Sequence, residues 1–343
     1  MKINKSVVAS LSVILGSLTG FAQQDPHYTQ YMYNQSIINP AYAGINDHLS
    51  LGVLYRAQWA GLEGAPSTAT AFAHTPVAKN LGVGLSFVND NIGPVTENNV
   101  YADISYTIRL GKGHNIALGV KGGMTMQEVG LFSDINHTVP DKNDFAFSED
   151  SSESMFNVGA GIFYFTNKYY LGVSVPNFVQ NTYIEKNNKK FGSDVMHTFI
   201  TGGYVFDINY DWKLKPSTMV KVAQGAPLSA DVSLNAMYAN KFEVGVSYRL
   251  EDSFGAMVNY RVTPKLRVGY AYDHVTSEIK NGASGSHEVF VLFDILVEIF
   301  KLTTIKSNYE KNIPIAIIIR SLVYFKCSKY GLHKLARRAL KTC

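Results

Sequence analysis

The sequence lacks several features that would brace or anchor a chain of this size. Cys327 and Cys343 are its two cysteines, so residues 1–296 hold none and no disulfide framework can stabilise the main body. The chain also has no concentrated apolar run of the roughly 20 residues that a transmembrane helix requires. The main body must therefore be stabilised by other means, and its composition does not fit a bundle of membrane helices.

Catalytic sequence motifs are also missing. The chain has no Gly-x-Ser-x-Gly elbow, His-Glu-x-x-His pair, P-loop or Cys-x-x-Cys, and its nine histidines are scattered. We therefore predict that the protein is not an enzyme and that it binds no metal ion or other cofactor. The acidic stretch 140–153 could hold Ca²⁺, but the irregular spacing of its carboxylates favours an ordinary external loop. The basic stretch 187–190 gives no support for nucleic-acid binding.

What the sequence does contain is a repeated two-faced segment. Its 21 Tyr, 19 Phe and 28 Gly are typical of an all-β protein. From about His48 to Leu296 we count fourteen runs of roughly ten residues in which apolar and polar residues alternate, each closed by Gly, Pro, Asn or Asp. In 100–110, 241–250 and 265–275 the interior charged residues fall on one face of the strand. Such strands suit a boundary between hydrocarbon and water.

The connections favour a membrane barrel over a soluble sandwich, whose strands alternate in the same way. The even-numbered gaps between runs are tight, whereas the odd-numbered gaps include every long one, notably 130–151, 177–195 and 276–286. Bacterial outer-membrane barrels show this asymmetry, with short periplasmic turns and longer external loops. Lipid offers no hydrogen-bond partners, so a sheet that crosses it must close on itself. We predict an all-β fold, a transmembrane antiparallel up-and-down β-barrel of about fourteen strands over residues 48–296.

The two ends of the chain differ from this body. Residues 1–22 combine Lys2 and Lys5 with an apolar stretch and Gly20-Phe21-Ala22, which predicts a secretory signal peptide that is cleaved on export to the outer membrane. Residues 297–343 hold ten Lys or Arg against two Glu. This tail is either an appended periplasmic or membrane-surface segment or an accidental extension such as a frameshift or insertion. A barrel is usually recognised for assembly by its last strand, and a basic apolar tail after that strand would obscure the signal. We therefore favour the accidental extension.

Between the predicted signal peptide and the first strand lies a tyrosine-rich leader, residues 23–47. It is neither low-complexity nor strand-like, and Asn39-Pro40 predicts a turn. Its density of tyrosine favours burial over solvation. The sequence leaves open whether the leader is ordered by the rim of the barrel, contacts a partner in the periplasm or fills the lumen as a plug.

Four stretches of the sequence resemble a known family. They are Asp25-Pro26-His27-Tyr28-Thr29-Gln30-Tyr31-Met32-Tyr33-Asn34, Ile38-Asn39-Pro40-Ala41-Tyr42-Ala43-Gly44, Tyr55-Arg56-Ala57-Gln58-Trp59 and Gly285-Ser286-His287-Glu288-Val289. In this order, and over about residues 23–296, they resemble the PorP/SprF family. The resemblance implies an outer-membrane barrel of the type IX secretion system of Bacteroidetes, which exports surface proteins and, in gliding species, the motility adhesins.

The resemblance implies partners rather than chemistry. It implies contacts with outer-membrane lipid, with the secretion machinery and its periplasmic components, and with large secreted cargo proteins that carry a C-terminal sorting domain. The family offers no catalytic residues. Partner contacts are predicted for the family-like leader residues Asp25, Pro26, His27, Tyr28, Gln30, Tyr31, Asn39, Pro40, Ala41 and Gly44.

Three functions fit this strand pattern. Our leading hypothesis is a secretion component that works by protein–protein contact, with loops 130–151 and 177–195 facing cargo outside the cell and residues 23–44 facing the periplasmic machinery. The first alternative is a passive or substrate-specific porin. The second is an outer-membrane barrel esterase or lipase that assembles Ser, His and Asn from neighbouring strands.

Overall fold

The structure is a computed structural model that describes most of the predicted barrel and part of the leader. The described residues are 27–130, 151–179, 182–186, 189–193, 196–223, 227–277 and 282–296. The predicted signal peptide, residues 1–22, and the C-terminal stretch 297–343 lie outside these ranges.

Fourteen long antiparallel strands form one closed sheet, and a strand of two residues, Phe206–Asp207, pairs with the start of the ninth. They are β1 (Leu49–Ala57), β2 (Ser67–Ala78), β3 (Leu81–Ile92), β4 (Val95–Gly111), β5 (His114–Val129), β6 (Ser151–Phe165), β7 (Tyr169–Val175), β8 (His197–Tyr204), β9 (Trp212–Ala223), β10 (Ser229–Tyr238), β11 (Phe242–Arg249), β12 (Ser253–Arg261), β13 (Leu266–Val275) and β14 (Ser286–Ile295). Each strand pairs with the next along the chain, and β14 closes the sheet by pairing with β1. The predicted fold, an antiparallel barrel of fourteen strands, is confirmed.

The outward face of this sheet is mainly apolar, whereas its inward face carries most of the polar and charged side chains. In β11, Val246 points outward and is 60% exposed, whereas Glu243 points inward and is 1% exposed. The same alternation appears in β4, where Ile104 is exposed and Asp103 is buried. A water-soluble protein has the opposite arrangement, because exposed apolar area costs free energy in water. The outward face therefore suits acyl chains, as the alternation in the sequence predicts.

The two ends of the barrel differ in the length of their connections. At one end, which we call the tight-turn end, the chain turns within residues 79–80, 112–113, 166–168, 208–211, 239–241 and 262–265. The opposite end, which we call the long-loop end, carries the longest connections, 130–150, 176–196 and 276–285. The second of these includes a short hairpin of Thr182–Lys186 with Lys189–Ser193. In outer-membrane barrels such ends face the periplasm and the outside respectively.

A charge on the outward face tests this orientation of the sheet. Val120 lies midway along β5 and its side chain is 58% exposed on the outward face. We expect Val120→Arg to lower the free energy of unfolding in lipid vesicles by about 2–4 kcal/mol, because an arginine near the bilayer midplane must be desolvated. A urea titration measures the loss, with Val120→Leu as the control. Equal stability of the two variants would mean that this face does not contact lipid.

Candidate functional site: the leader inside the barrel

Residues 27–45, which we call the leader segment, cross the interior of the barrel through three short helical turns. These are Tyr31–Tyr33 and Pro40–Tyr42, both 3₁₀, and the α-helical turn Gln35–Ile38. Asn39 caps the last of them, since its side-chain oxygen accepts a hydrogen bond from the Ala41 N–H at 3.0 Å. A 3₁₀ helix thus begins at Pro40, directly after Asn39. No helix in the described part of the chain has the length and hydropathy that a transmembrane span requires.

The leader segment runs from the long-loop end to the tight-turn end. His27 Nε2 lies 3.0 Å from Lys221 Nζ. Lys221 is two residues before the end of β9, which lies at the long-loop end. Tyr33 bonds to Glu243, the second residue of β11 at the tight-turn end. The segment then continues to β1, which begins at this same end. Its contacts with the wall therefore extend along most of the lumen.

A buried ion-pair cluster fixes the first part of the leader segment. Arg56 of β1 reaches Asp273 of β13 at 2.7 Å and Glu288 of β14 at 3.1 Å, and all three side chains are at most 3% exposed. The leader contributes neutral donors to this cluster. The backbone N–H of Thr29 donates to Glu288 Oε2 at 2.8 Å and that of Gln30 donates to Oε1 at 2.9 Å. The Thr29 hydroxyl also donates to Asp273 at 2.5 Å.

These hydrogen bonds explain how one arginine can stay buried with two carboxylates. An ionised carboxylate in a dry site needs a cation or several hydrogen-bond donors to offset its lost hydration. Arg56 supplies the cation, and the backbone of the leader supplies two further donors to Glu288. The leader segment is thus part of the electrostatic balance of the barrel wall.

A second cluster surrounds Tyr33 nearer the tight-turn end. Its hydroxyl donates to Glu243 at 2.6 Å and accepts from Lys215 at 3.0 Å and from Arg267 at 2.8 Å. The two cations also lie about 5 Å from the centre of the Tyr33 ring, at 5.1 Å for Lys215 and 4.9 Å for Arg267. Burial raises the pKa of Tyr33, so the phenol keeps the proton that it donates. One leader side chain therefore joins three strands.

His27 makes a polar contact near the long-loop end. Burial lowers the pKa of His27 well below its usual value, and the nearby positive charges of Lys221 and Arg249 lower it further. The imidazole is therefore neutral at physiological pH. Its Nε2 can accept the hydrogen bond that the Lys221 ammonium donates.

Apolar contacts between the leader and the wall form the hydrophobic core of the protein. One cluster packs Tyr31 and Ile38 of the leader against inward-facing wall residues, Leu54, Phe199, Met219 and Phe290. A second packs Ala41 against Ala117 and Phe163. The leader segment therefore supplies side chains to both apolar clusters inside the barrel.

Inward-facing glycines let the leader approach the wall closely. A Cβ atom on Gly119 of β5 would overlap the backbone of Pro40 and Ala41, and one on Gly82 of β3 would overlap the carbonyl of Ala43. Any larger residue at these two positions would push the leader away from the wall. The strands are therefore shaped to receive this segment.

Comparison with known families identifies the chain. A family model described as "Type IX secretion system membrane protein PorP/SprF" matches residues 20–293. The chain belongs to this family. The match covers the leader segment and nearly the whole barrel, so the PorP/SprF assignment applies to both. Together with the apolar outward face of the closed sheet, this match identifies the chain as an outer-membrane β-barrel. A comparison with curated proteins gave no match.

Several solved outer-membrane proteins are similar to this PorP/SprF chain at low identity. The outer membrane protein Omp33 of Acinetobacter baumannii is 9% identical, with 74% of this chain and 100% of that chain covered and a TM-score of 0.45. A FadL homologue of Pseudomonas aeruginosa is 13% identical, with coverage of 80% and 95% and a TM-score of 0.41. The toluene transporter TodX of Pseudomonas putida is 12% identical, with coverage of 77% and 94% and a TM-score of 0.43. At these TM-scores the similarities carry no inference about function.

The structure brings most of the predicted partner-contact residues together inside the PorP/SprF barrel. Gly44 is half-buried, and seven others are buried: His27, Tyr28, Gln30, Tyr31, Asn39, Pro40 and Ala41. Asp25 and Pro26 lie outside the described residues. In this arrangement the buried residues contact the barrel wall rather than a free surface. Their contact with a partner protein stays a prediction.

Sequence reasoning missed the wall residues that receive the leader. The charged residues Glu243, Arg267 and Asp273 are recognisable as inward-facing, but alternation alone does not show that they bind the leader. The missed signal is the presence of inward glycines, since Gly82 and Gly119 lie against the leader backbone. The acidic stretch 140–153 lies outside the described residues except for 151–153. Among the residues that are described, no group of His, Cys, Asp or Glu is arranged to hold a metal ion.

Proposed function

We propose that this outer-membrane barrel is a component of the type IX secretion system that supports the secretion or surface attachment of cargo proteins through protein–protein contacts. Membership in the PorP/SprF family supports the proposal. The structural observation that carries the proposal is that the lumen is filled rather than open. The lumen is occupied by the protein's own leader segment, whose Gln30, Tyr31, Asn39 and Ala41 have no exposed surface.

An occupied lumen argues against the porin alternative. A diffusion channel needs a continuous water-filled path lined by polar groups. Here many polar groups of the wall at the level of the leader bond to the leader itself, as Glu288 and Glu243 do. The surfaces left for partners are the two ends of the barrel. We propose that loops 130–151 and 177–195 face cargo outside the cell; residues 131–150 and parts of 177–195 lie outside the described residues.

Loop deletion in cells tests this function. Replacing residues 131–150 by a short Gly-Ser linker should remove at least one large secreted protein from the cell surface, because the linker cannot supply its binding surface. The measurement is quantitative mass spectrometry of protease-released surface proteins, together with co-purification of cargo from outer membranes. Complete deletion of the chain should give the same loss.

The control is a variant with the short loop 224–228 replaced in the same way, which should leave surface proteins unchanged. Outer-membrane amounts of all variants are compared first, so that loss of the barrel is not mistaken for loss of binding. An unchanged set of surface proteins in the complete deletion strain would refute the secretion role. An unchanged set in the 131–150 variant alone would refute the role of that loop.

A further inference from the structure

In the part of the chain that the structure describes, the barrel wall has a long strand edge without a partner strand near the long-loop end. Strand β6 has fifteen residues, but β7 pairs with only its last part, from Ala160 to Phe165. Closer to the long-loop end, the backbone N–H of Phe178 donates to the Val158 carbonyl at 2.8 Å. Among the described residues, no strand pairs with 151–157 on this side, although β5 pairs with them on the other. An unpaired edge of this length is a template for another strand.

The Val158 hydrogen bond shows which backbone groups lie on the open edge. Within a β-strand, the N–H and C=O of one residue point to the same side, and successive residues alternate between sides. Because the Val158 carbonyl points away from β5, the backbone groups of Phe156, Ser154 and Ser152 do so too. Three residues therefore offer their N–H and C=O groups to an added strand.

Much of this edge lies beyond the apolar band of the barrel. The outward residues Phe87, Val100, Met124 and Phe156 stand in one cross-strand row, which is apolar. The next outward row towards the long loops is mainly polar, with Asn89, Asn98, Met126 and Ser154. Ser154 and Ser152 thus lie where a partner protein in water could reach them. Phe156, which is 76% exposed, lies at the boundary between the apolar and polar rows.

The inward face of the edge continues a row of three acidic residues and one glutamine. Asp90, Glu97, Gln127 and Glu153 are paired in register across β3, β4, β5 and β6. A strand added to β6 would place its next side chain directly opposite Glu153. Opposite charges at such a position stabilise strand pairing, whereas like charges destabilise it. Glu153 therefore favours a lysine or arginine directly opposite it.

We propose that residues 151–157 bind an extended segment of a secreted protein by β-strand addition. The added strand carries a basic residue opposite Glu153 and an apolar residue opposite Phe156, three positions apart and on opposite faces. Backbone hydrogen bonds supply the affinity, and these two side chains supply the selectivity. The inference rests on the proposed function, because it takes the partner to be a cargo protein at the outer surface.

Synthetic peptides test the edge without any secretion readout. Three fluorescent peptides alternate valine and threonine between soluble flanks; one carries lysine at a central threonine position, one carries glutamate there, and one has a central proline. Fluorescence anisotropy measures their binding to the detergent-purified full chain. We expect the lysine peptide to bind at least about tenfold more tightly than the other two. Glu153→Lys should reverse the preference between lysine and glutamate.

Ser154→Pro and Ser154→Ala separate edge binding from surface charge. Proline removes an open-edge N–H and its ring blocks the edge, whereas alanine keeps the N–H. Ser154→Pro should weaken binding of the lysine peptide about tenfold and Ser154→Ala should not change it. Equal binding to both variants, or no binding to the full chain, would overturn the proposal. Binding that appears only after deletion of hairpin 182–193 would also overturn it, since the chain itself would then cover the edge.

Discussion

Deletion of residues 27–44 is expected to turn a barrel with a filled lumen into an open channel. The wild-type chain should show no steady conductance in planar bilayers, because its leader segment fills the lumen with buried side chains. Removing the segment should leave a polar, water-filled path inside fourteen strands and give discrete, long-lived openings. The measurement is single-channel recording of both proteins under the same voltage and salt.

A point variant guards against misassembly of the deletion variant. Gly119→Leu places a side chain where the backbone of Pro40 and Ala41 now lies, so it should displace the leader without shortening the chain. We expect its conductance to lie between those of the wild type and the deletion variant. Resistance of the folded barrels to denaturation by cold SDS confirms assembly before recording. Equal conductance of all three folded proteins would show that the leader does not close the lumen.

Arg56→Met is expected to cause the largest loss of stability among single substitutions in the interior. It leaves Asp273 and Glu288 buried without the cation that contacts both carboxylates. Removing one partner of a buried ion pair typically costs about 3–5 kcal/mol. Urea unfolding of the barrel in lipid vesicles measures the change in free energy of unfolding.

The double variant Arg56→Met with Glu288→Gln tests the electrostatic cause. A glutamine at 288 is neutral, and its side-chain oxygen can still accept a hydrogen bond from the leader backbone. The double variant should therefore recover part of the lost stability. If the two substitutions add without any recovery, the loss comes from packing rather than from an unpaired charge.

The barrel could be predicted from the sequence because lipid imposes a simple rule on every strand. Each outward position must be apolar, so the alternation in 100–110 is visible without any knowledge of neighbouring strands. The strand boundaries were less accurate. β4 begins at Val95 rather than near Val100, because the outward residues Thr96 and Asn98 lie beyond the apolar band and no longer follow the rule. Pairing with β3 and β5 extends the strand there.

The position of the leader could not be read from the sequence for a different physical reason. Its burial was predictable from its tyrosines, but each contact joins residues far apart in the chain, such as Tyr33 with Glu243. An inward charge on a strand fits a water-filled lumen as well as a packed one. An inward glycine such as Gly119 can mark the close approach of another backbone, but the sequence does not show which backbone approaches.

Disulfide trapping tests directly whether the leader lies inside the barrel. A Cβ atom on Gly84 would lie 3.3 Å from that of Ala43, which is near the spacing of a disulfide. In a background with Cys327 and Cys343 replaced by serine, Ala43→Cys with Gly84→Cys should crosslink in intact outer membranes and change mobility on a non-reducing gel. Ala43→Cys with Leu85→Cys should not, because Leu85 points outward. An absent crosslink in the first pair, or equal crosslinking in both pairs, would contradict a leader held in the lumen.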